Sequence, residues 1–323
     1  MASKIAVMHI GTHKTGTTSL QSMIARNGTH FANQGLFYPT VGRPVDGHHN
    51  LAWELNGDER YDPTVGSFAD LTNELRQAEP RAVLLSSEDF EYLHLRPESL
   101  RNFRRRLSRL GYKTHVLVVL RQPSDYLESL YFELRRHGLE EEFDSFLARA
   151  LAEGGVVFRG WDFRVNYKQL VQSFAAVFGR RAVHVLRYDP IDSVAPLLDA
   201  CGRLLTLALS PIAGWERFNR RPSVVGASTG GPPEDRDGPR SAKAGVQSLT
   251  PLTEVERDVM HAFRRSVNDL VRRYPPPDDR WLRRRRPAAL SNLGATTSCT
   301  SGPSRHSSWP REAQPAVAVG VQV

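Results

Sequence analysis

Two periodicities alternate along the first two thirds of this chain. Short runs that are apolar throughout and rich in β-branched residues are separated by longer stretches with apolar positions three and four residues apart. An uninterrupted apolar run predicts a strand buried on both faces, and the 3.6-residue period predicts a helix with one face in a core. Lys4 to Ile10 (KIAVMHI), Arg81 to Ser86 (RAVLLS), Thr114 to Leu120 (THVLVVL) and Ala182 to Arg187 (AVHVLR) read as strands. Helices are predicted from about Thr17 to Arg26, and from Pro97 to a stop at Gly111, with Leu100, Phe103, Leu107 and Leu110 on one face. Two more run from Ser124 to about His137, stopped by Gly138, and from Val165 to Phe178, ending at Gly179. The alternation implies an α/β fold: a three-layer α/β/α sandwich with a central, mostly parallel sheet.

The same pattern sets the expected domain limits. Residues 1–220 form the α/β domain. Pro222 to Gly245 is dense in Gly, Pro, Ser and charge, so residues 221–250 are expected to be a flexible loop or linker. Helical period returns through Val255, Val259, Phe263, Val267, Leu270 and Val271, so residues 251–282 read as a helical segment packed on the domain. After Trp281 come four arginines and a Ser/Thr/Pro/Ala-rich stretch, so residues 283–323 read as a basic, disordered tail.

Composition narrows the function class. With 40% hydrophobic and 24% charged residues, the chain of 323 residues has the balance of a soluble globular protein. No stretch approaches the roughly 20 apolar residues of a membrane span, and the first residues lack a signal-peptide core. Cys201 and Cys299, about a hundred residues apart, make neither a disulfide framework nor a metal site. A cytoplasmic protein without a bound metal is the expectation. The net charge of +8 comes from short arginine clusters such as Arg104 to Arg106 and not from a stripe interleaved with aromatics. It suits solvated helix faces or attraction of an anionic ligand, and no nucleic-acid motif accompanies it. The sequence carries no signal of oligomeric state.

The chemistry concentrates in Gly11-Thr12-His13-Lys14-Thr15-Gly16-Thr17-Thr18-Ser19-Leu20, between the first strand and the first helix. Such a turn offers successive amides and a helix N-terminus to phosphate or sulfate oxygens. Gly11 and Gly16 permit close backbone approach, Lys14 brings a charge, and Thr15, Thr17, Thr18 and Ser19 add hydroxyls. The order differs from a Walker A loop, because the lysine precedes the second glycine by two residues. The stretch Lys14 to Gln21 (KTGTTSLQ) resembles the 5′-phosphosulfate loop of the sulfotransferases that use 3′-phosphoadenosine-5′-phosphosulfate (PAPS), bacterial members in particular. A second match follows the third strand. Arg121 stands at its C-terminal end and Ser129 eight residues later, like the family's 3′-phosphate motif R-x7-S. Arg121 can bind a phosphate through two charge-assisted bonds, and Ser129 can add another. A run from Tyr167-Lys168-Gln169-Leu170 through Phe178-Gly179 to Arg187-Tyr188-Asp189 is also similar to family members.

The resemblance implies PAPS as co-substrate, held by Lys14, Thr15, Gly16, Thr17, Thr18, Ser19, Arg121, Ser129 and Arg187, with Lys14 on the leaving oxygen. The acceptor would be a hydroxyl or amine on a small molecule, glycan or lipid-linked compound. Loss of the acceptor's proton needs a base. Glu88, at the end of the second strand, falls where the cytosolic branch of the family has its catalytic histidine, and the heparan branch uses a glutamate. His48 and His49 are the rivals, in a segment read as an exposed loop. His13 reads as a neighbour of the phosphate, and Tyr126, Tyr131 and Tyr188 as packing residues. Two other readings stay open: a P-loop small-molecule kinase, which would place Mg²⁺ on a loop serine and a strand-end Asp, and a nucleotide-binding protein without catalysis.

Overall fold

The first predicted strand is β1, Lys4–Gly11, and its unbroken apolar character follows from burial on both faces. Ala6, Met8 and Ile10 enter one core; Ile5 and Val7 enter another on the opposite side. This computed structural model of the protein describes residues 3–188, 194–212, 215 and 254–278. The expected linker at 221–250 and tail at 283–323 lie outside the described residues.

After β1 come α1 (Thr17–Arg26), α2 (Gly28–Asn33), α3 (His49–Asn56) and α4 (Phe68–Ala78), then β2 (Ala82–Ser86) and α5 (Pro97–Arg109). β3 (Tyr112–Leu120) is followed by α6 (Pro123–Arg136), α7 (Phe143–Glu153) and the hairpin β4 (Gly155–Phe158) and β5 (Trp161–Arg164). The remaining described elements are α8 (Tyr167–Phe178), β6 (Val183–Arg187), α9 (Ala195–Leu205) and α10 (Glu254–Arg273).

Among the described residues the main sheet has four strands in the order β2-β1-β3-β6, all parallel. Helices α3, α4, α5, α8 and α10 pack on one face through Leu51, Leu71, Phe103, Phe174 and Leu270. On the other face, α1 and α9 contribute Leu20, Met23, Leu197 and Cys201. The predicted three-layer α/β/α sandwich is the observed architecture. A third cluster, including Tyr126, Leu130, Phe146, Val156 and Phe163, joins α6, α7 and the hairpin.

The four predicted strands are present, with β3 starting two residues earlier, at Tyr112. Helices α2, α3, α4, α7 and α9 occupy stretches for which the periodicity predicts no element. α2 and α3, with 6 and 8 residues, are too short to establish a period. α4 is fixed locally by a capping box, in which Ser67 and Asp70 each satisfy the other's backbone amide.

Strand order creates the functional edge. The chain moves outward from β1 to β2, then back past β1 to β3. α1, which leaves β1, and α5, which enters β3, lie on opposite faces. The C-terminal ends of β1 and β3 therefore flank the crevice where doubly wound sheets bind ligands.

Candidate active site

The predicted phosphate loop sits at that crevice. Thr12 continues from β1 by donating its amide to Val119 O at 3.1 Å, and Thr15 Oγ1 donates to Thr12 O at 2.6 Å. The turn is tight enough to need glycine at its start. A Cβ on Gly11 would lie 2.2 Å from Thr17 Cγ2 and 2.5 Å from Thr15 Oγ1. Gly16, at φ 74°, makes the left-handed step into α1, and no side chain caps that helix. The Ser19 amide bonds back to Gly16 O at 3.1 Å, the amides of Thr17 and Thr18 stand ahead of the first helical bond, and no acidic residue lies in the first turn. Thr17 and Ser19 are buried; Thr18 is exposed.

Lys14 also adopts a left-handed backbone, at φ 67°, which turns its carbonyl toward β3 and its side chain toward α6. Arg121 Nη1 donates to Lys14 O at 3.0 Å, so the residue after β3 braces the loop after β1. The Arg121 guanidinium also lies over the Tyr188 ring, 5.6 Å from its centroid. Tyr188 thus supports Arg121 as well as packing. Lys14 Nζ pairs with Glu133 Oε2 at 3.0 Å. Burial pushes the Glu133 carboxyl up, but the bond and charge of Lys14 outweigh this and hold it below the usual range. Ser129, half-buried, lies one helical turn before Glu133 on the same side of α6. Arg187 is exposed at the end of β6, in register with Leu120 and one residue before Tyr188.

The candidate base lies across β1 from Arg121. Glu88 opens a 3₁₀ turn, Glu88–Leu95, that leaves β2 after Ser87. Its Oε2 accepts from Gln21 Nε2 of α1 at 3.1 Å and lies 4.0 Å from His49 Nε2. The other face of the His49 ring is occupied: Nδ1 lies 3.0 Å from Asp89 Oδ2 and 3.0 Å from Ser87 Oγ. Burial lowers the His49 pKa, but the Asp89 bond and the charges of Glu88 and Asp89 reverse the effect and raise it. Burial likewise raises Asp89, and the His49 bond with the nearby His13, His49 and Arg60 charges brings it below normal.

The two rival histidines are not exposed loop residues. His49 is the first residue of α3, and His48 is fully buried at its cap. His48 Nδ1 accepts the Ser86 amide at 3.1 Å, so its Nε2 carries hydrogen and donates to Pro39 O at 3.1 Å. Burial and the Arg43 charge lower its pKa to about 3. Its work is structural, and of the pair only His49 faces Glu88. His13, beneath the loop, places Nε2 3.3 Å from Glu91 Oε1 and 3.3 Å from the Tyr92 hydroxyl. Burial, with the negative charges of Asp89 and Glu88, moves Glu91 well up, and burial moves His13 down.

Neither a protein-family model nor a curated protein matches this chain. Among solved structures it is similar to a sulfotransferase from Alicyclobacillus acidocaldarius, at 16% identity and a TM-score of 0.48, over 87% of this chain and 99% of that one. It is also similar to a chain of the PezAT chromosomal toxin–antitoxin system of Streptococcus pneumoniae, at 10% identity and a TM-score of 0.29, over 84% and 88%.

Sequence reasoning missed Asp89, Glu133 and the bridging role of Gln21. Glu133 carried a signal, four residues after Ser129 on a predicted helix. Asp89 carried none, since its partners Trp53, Arg60 and His49 come from a segment about 30 to 40 residues away. Among the described residues, no helix is long and apolar enough to cross a membrane, and no cluster of His, Cys, Asp and Glu is arranged to hold a metal.

Proposed function

We propose that this chain is a sulfotransferase that moves the sulfuryl group of PAPS to a hydroxyl or amine of a small-molecule, carbohydrate or lipid-linked acceptor. The observation that carries this reading is the bond from Arg121 Nη1 to Lys14 O at 3.0 Å. It joins two motifs more than 100 residues apart in sequence, the KTGTTSLQ loop and the R-x7-S pair, at one edge of the sheet.

In this reading the loop amides and the hydroxyls of Thr15, Thr17, Thr18 and Ser19 hold the 5′-phosphosulfate. Arg121 and Ser129, with Arg187 at the rim, hold the 3′-phosphate. Lys14 leaves Glu133 to stabilise charge on the leaving oxygen. The acceptor oxygen forms the new bond to sulfur as the bond from sulfur to the 5′-phosphate oxygen breaks, its electron pair remaining on that oxygen. Glu88 takes the acceptor's proton. Positioning and charge supply most of the rate in such a loose, in-line transfer.

The test is calorimetric titration of adenosine 3′,5′-bisphosphate, AMP and ATP, with and without Mg²⁺. The bisphosphate should bind far more tightly than either, without Mg²⁺. Best binding of ATP with Mg²⁺ would instead identify a kinase. A screen with labelled PAPS against glycans, lipids and phenols then identifies the acceptor.

A further inference from the structure

Beside β2, two side-chain acceptor atoms approach each other without touching, His49 Nε2 and Glu88 Oε2. The ionised Asp89 carboxylate can only accept, so at 3.0 Å from Oδ2 the His49 Nδ1 carries the hydrogen. His49 Nε2 then presents a lone pair, 4.0 Å from the lone pairs of Glu88 Oε2. That separation exceeds a hydrogen bond and suits a single hydroxyl oxygen about 2.8 Å from each. Gly47 lets the backbone pass close beside the pair: a Cβ there would stand 2.6 Å from His49 Nε2 and 2.8 Å from Gln21 Oε1. Asp89 is itself firmly held. Trp53 Nε1 donates to its Oδ2 at 3.1 Å, and Arg60 Nη2 lies 3.6 Å from Oδ1. The His49 ring stacks on Trp53 at 6.0 Å between centroids.

We propose that Glu88, His49 and Asp89 form a proton relay, in which His49 receives the proton that Glu88 takes from the acceptor and Asp89 is the positioning residue. The proposal rests on the reading of Glu88 as base. The acceptor's proton passes to Glu88 Oε2; once the sulfated product has left, a water bonded to both atoms across the 4.0 Å gap carries it on to His49 Nε2, forming an imidazolium whose charge Asp89 balances. His49 releases it to solvent, and Glu88 is again a carboxylate for the next turnover. The charged or titratable groups around His49 are Glu88 and Asp89 from the turn after β2, Arg60 from the connection after α3, His13 from the loop, and His48 beside it.

The experiment is a nitrogen-15 NMR titration of the full chain, with the His49 signals assigned by His49→Gln. Wild type should show the Nδ1–H tautomer above the midpoint, and a midpoint above the ordinary 6.5. Glu88→Gln and Asp89→Asn should each lower that midpoint by about one pH unit. Glu88 is partly exposed, so its variant serves even if Asp89→Asn fails to fold. An Nε2–H tautomer in wild type, or a midpoint unmoved by Glu88→Gln, overturns the relay. Bisphosphate calorimetry on the same samples keeps the two readings apart. If the bisphosphate does not bind, the sulfotransferase reading fails; if it binds and His49 behaves otherwise, only the relay fails.

Discussion

Gln21 and Glu88 are joined by a 3.1 Å hydrogen bond, from the amide of one to the carboxylate of the other. Gln21 belongs to α1, whose N-terminus closes the phosphate loop, and it also donates to Ser86 Oγ at 3.2 Å. The helix that opens on the candidate anion site therefore orients the candidate base. Gln21→Met keeps the volume and removes both donors. Turnover should fall roughly 10-fold, as expected of a modest misplacement of a catalytic group. Bisphosphate affinity should stay at the wild-type value. Steady-state kinetics and calorimetry on the variant test the pair of statements; equal losses in both would show that Gln21 serves the loop instead.

Glu88→Gln retains size and polarity but cannot take a proton. Turnover should drop about 10²- to 10⁴-fold, the usual contribution of a general base. The KM for PAPS should change little, because Glu88 lies across β1 from Arg121. Near-normal turnover in the labelled-PAPS assay would remove Glu88 as base and leave His49.

Arg121 and Lys14 should separate binding from chemistry. Arg121→Ala loses charge-assisted bonds worth roughly 1.5–3 kcal/mol each, and should erase most of the preference for the bisphosphate over AMP. Lys14→Ala should cripple turnover with a smaller loss of bisphosphate affinity. The same calorimetric series reads both variants, and an unchanged nucleotide ranking in Arg121→Ala would remove the 3′-phosphate role.

Acid should destabilise the fold through His9 and His48. Burial lowers the pKa of His9 to about 4 and that of His48 to about 3. Below about pH 6.5 the unfolded chain takes up protons that the folded one refuses. Each residue then removes on the order of 1.4 kcal/mol of stability per pH unit, until its folded pKa is reached. His49, shifted the other way, offsets a small part of this. The Tm should fall steadily from pH 7 to pH 5. His9 Nδ1 lies 2.8 Å from Ser86 Oγ, so His9→Gln can keep a polar partner there and should flatten the profile. A Tm independent of pH over that range would show these rings are protonated in the fold.

The candidate anion loop was legible as a loop because its information is local. A strand, a glycine-hydroxyl turn and a helix specify an anion cradle within ten residues, and Arg121 follows the most apolar strand directly. Glu88 was visible for the same reason, at the end of β2. The surroundings of Glu88 were not. α3 is too short to show a period, so His48 and His49 read as exposed loop residues although the fold buries the first completely. Whether a histidine is a ligand, a base or a brace depends on what meets both ring nitrogens, and those partners come from β2 and the Pro39 carbonyl. Glu133 was hidden differently: the spacing placed it on the right face, but only the left-handed backbone at Lys14 sends the lysine toward it.

The distribution of these residues along the chain divides the molecule's capacity for change. The candidate anion cradle draws on residues 11–19 and 121–136, at the two strands in the middle of the sheet, with Arg187 of β6 at its rim. Gly47, His49, Trp53, Arg60, Glu88 and Asp89 all come from one continuous stretch that runs through the outer strand β2 into the turn just after it. A single exchange of that stretch between related chains would carry the whole proton-handling apparatus with it. Gln21, on α1, is the point at which such a graft has to be matched to its host.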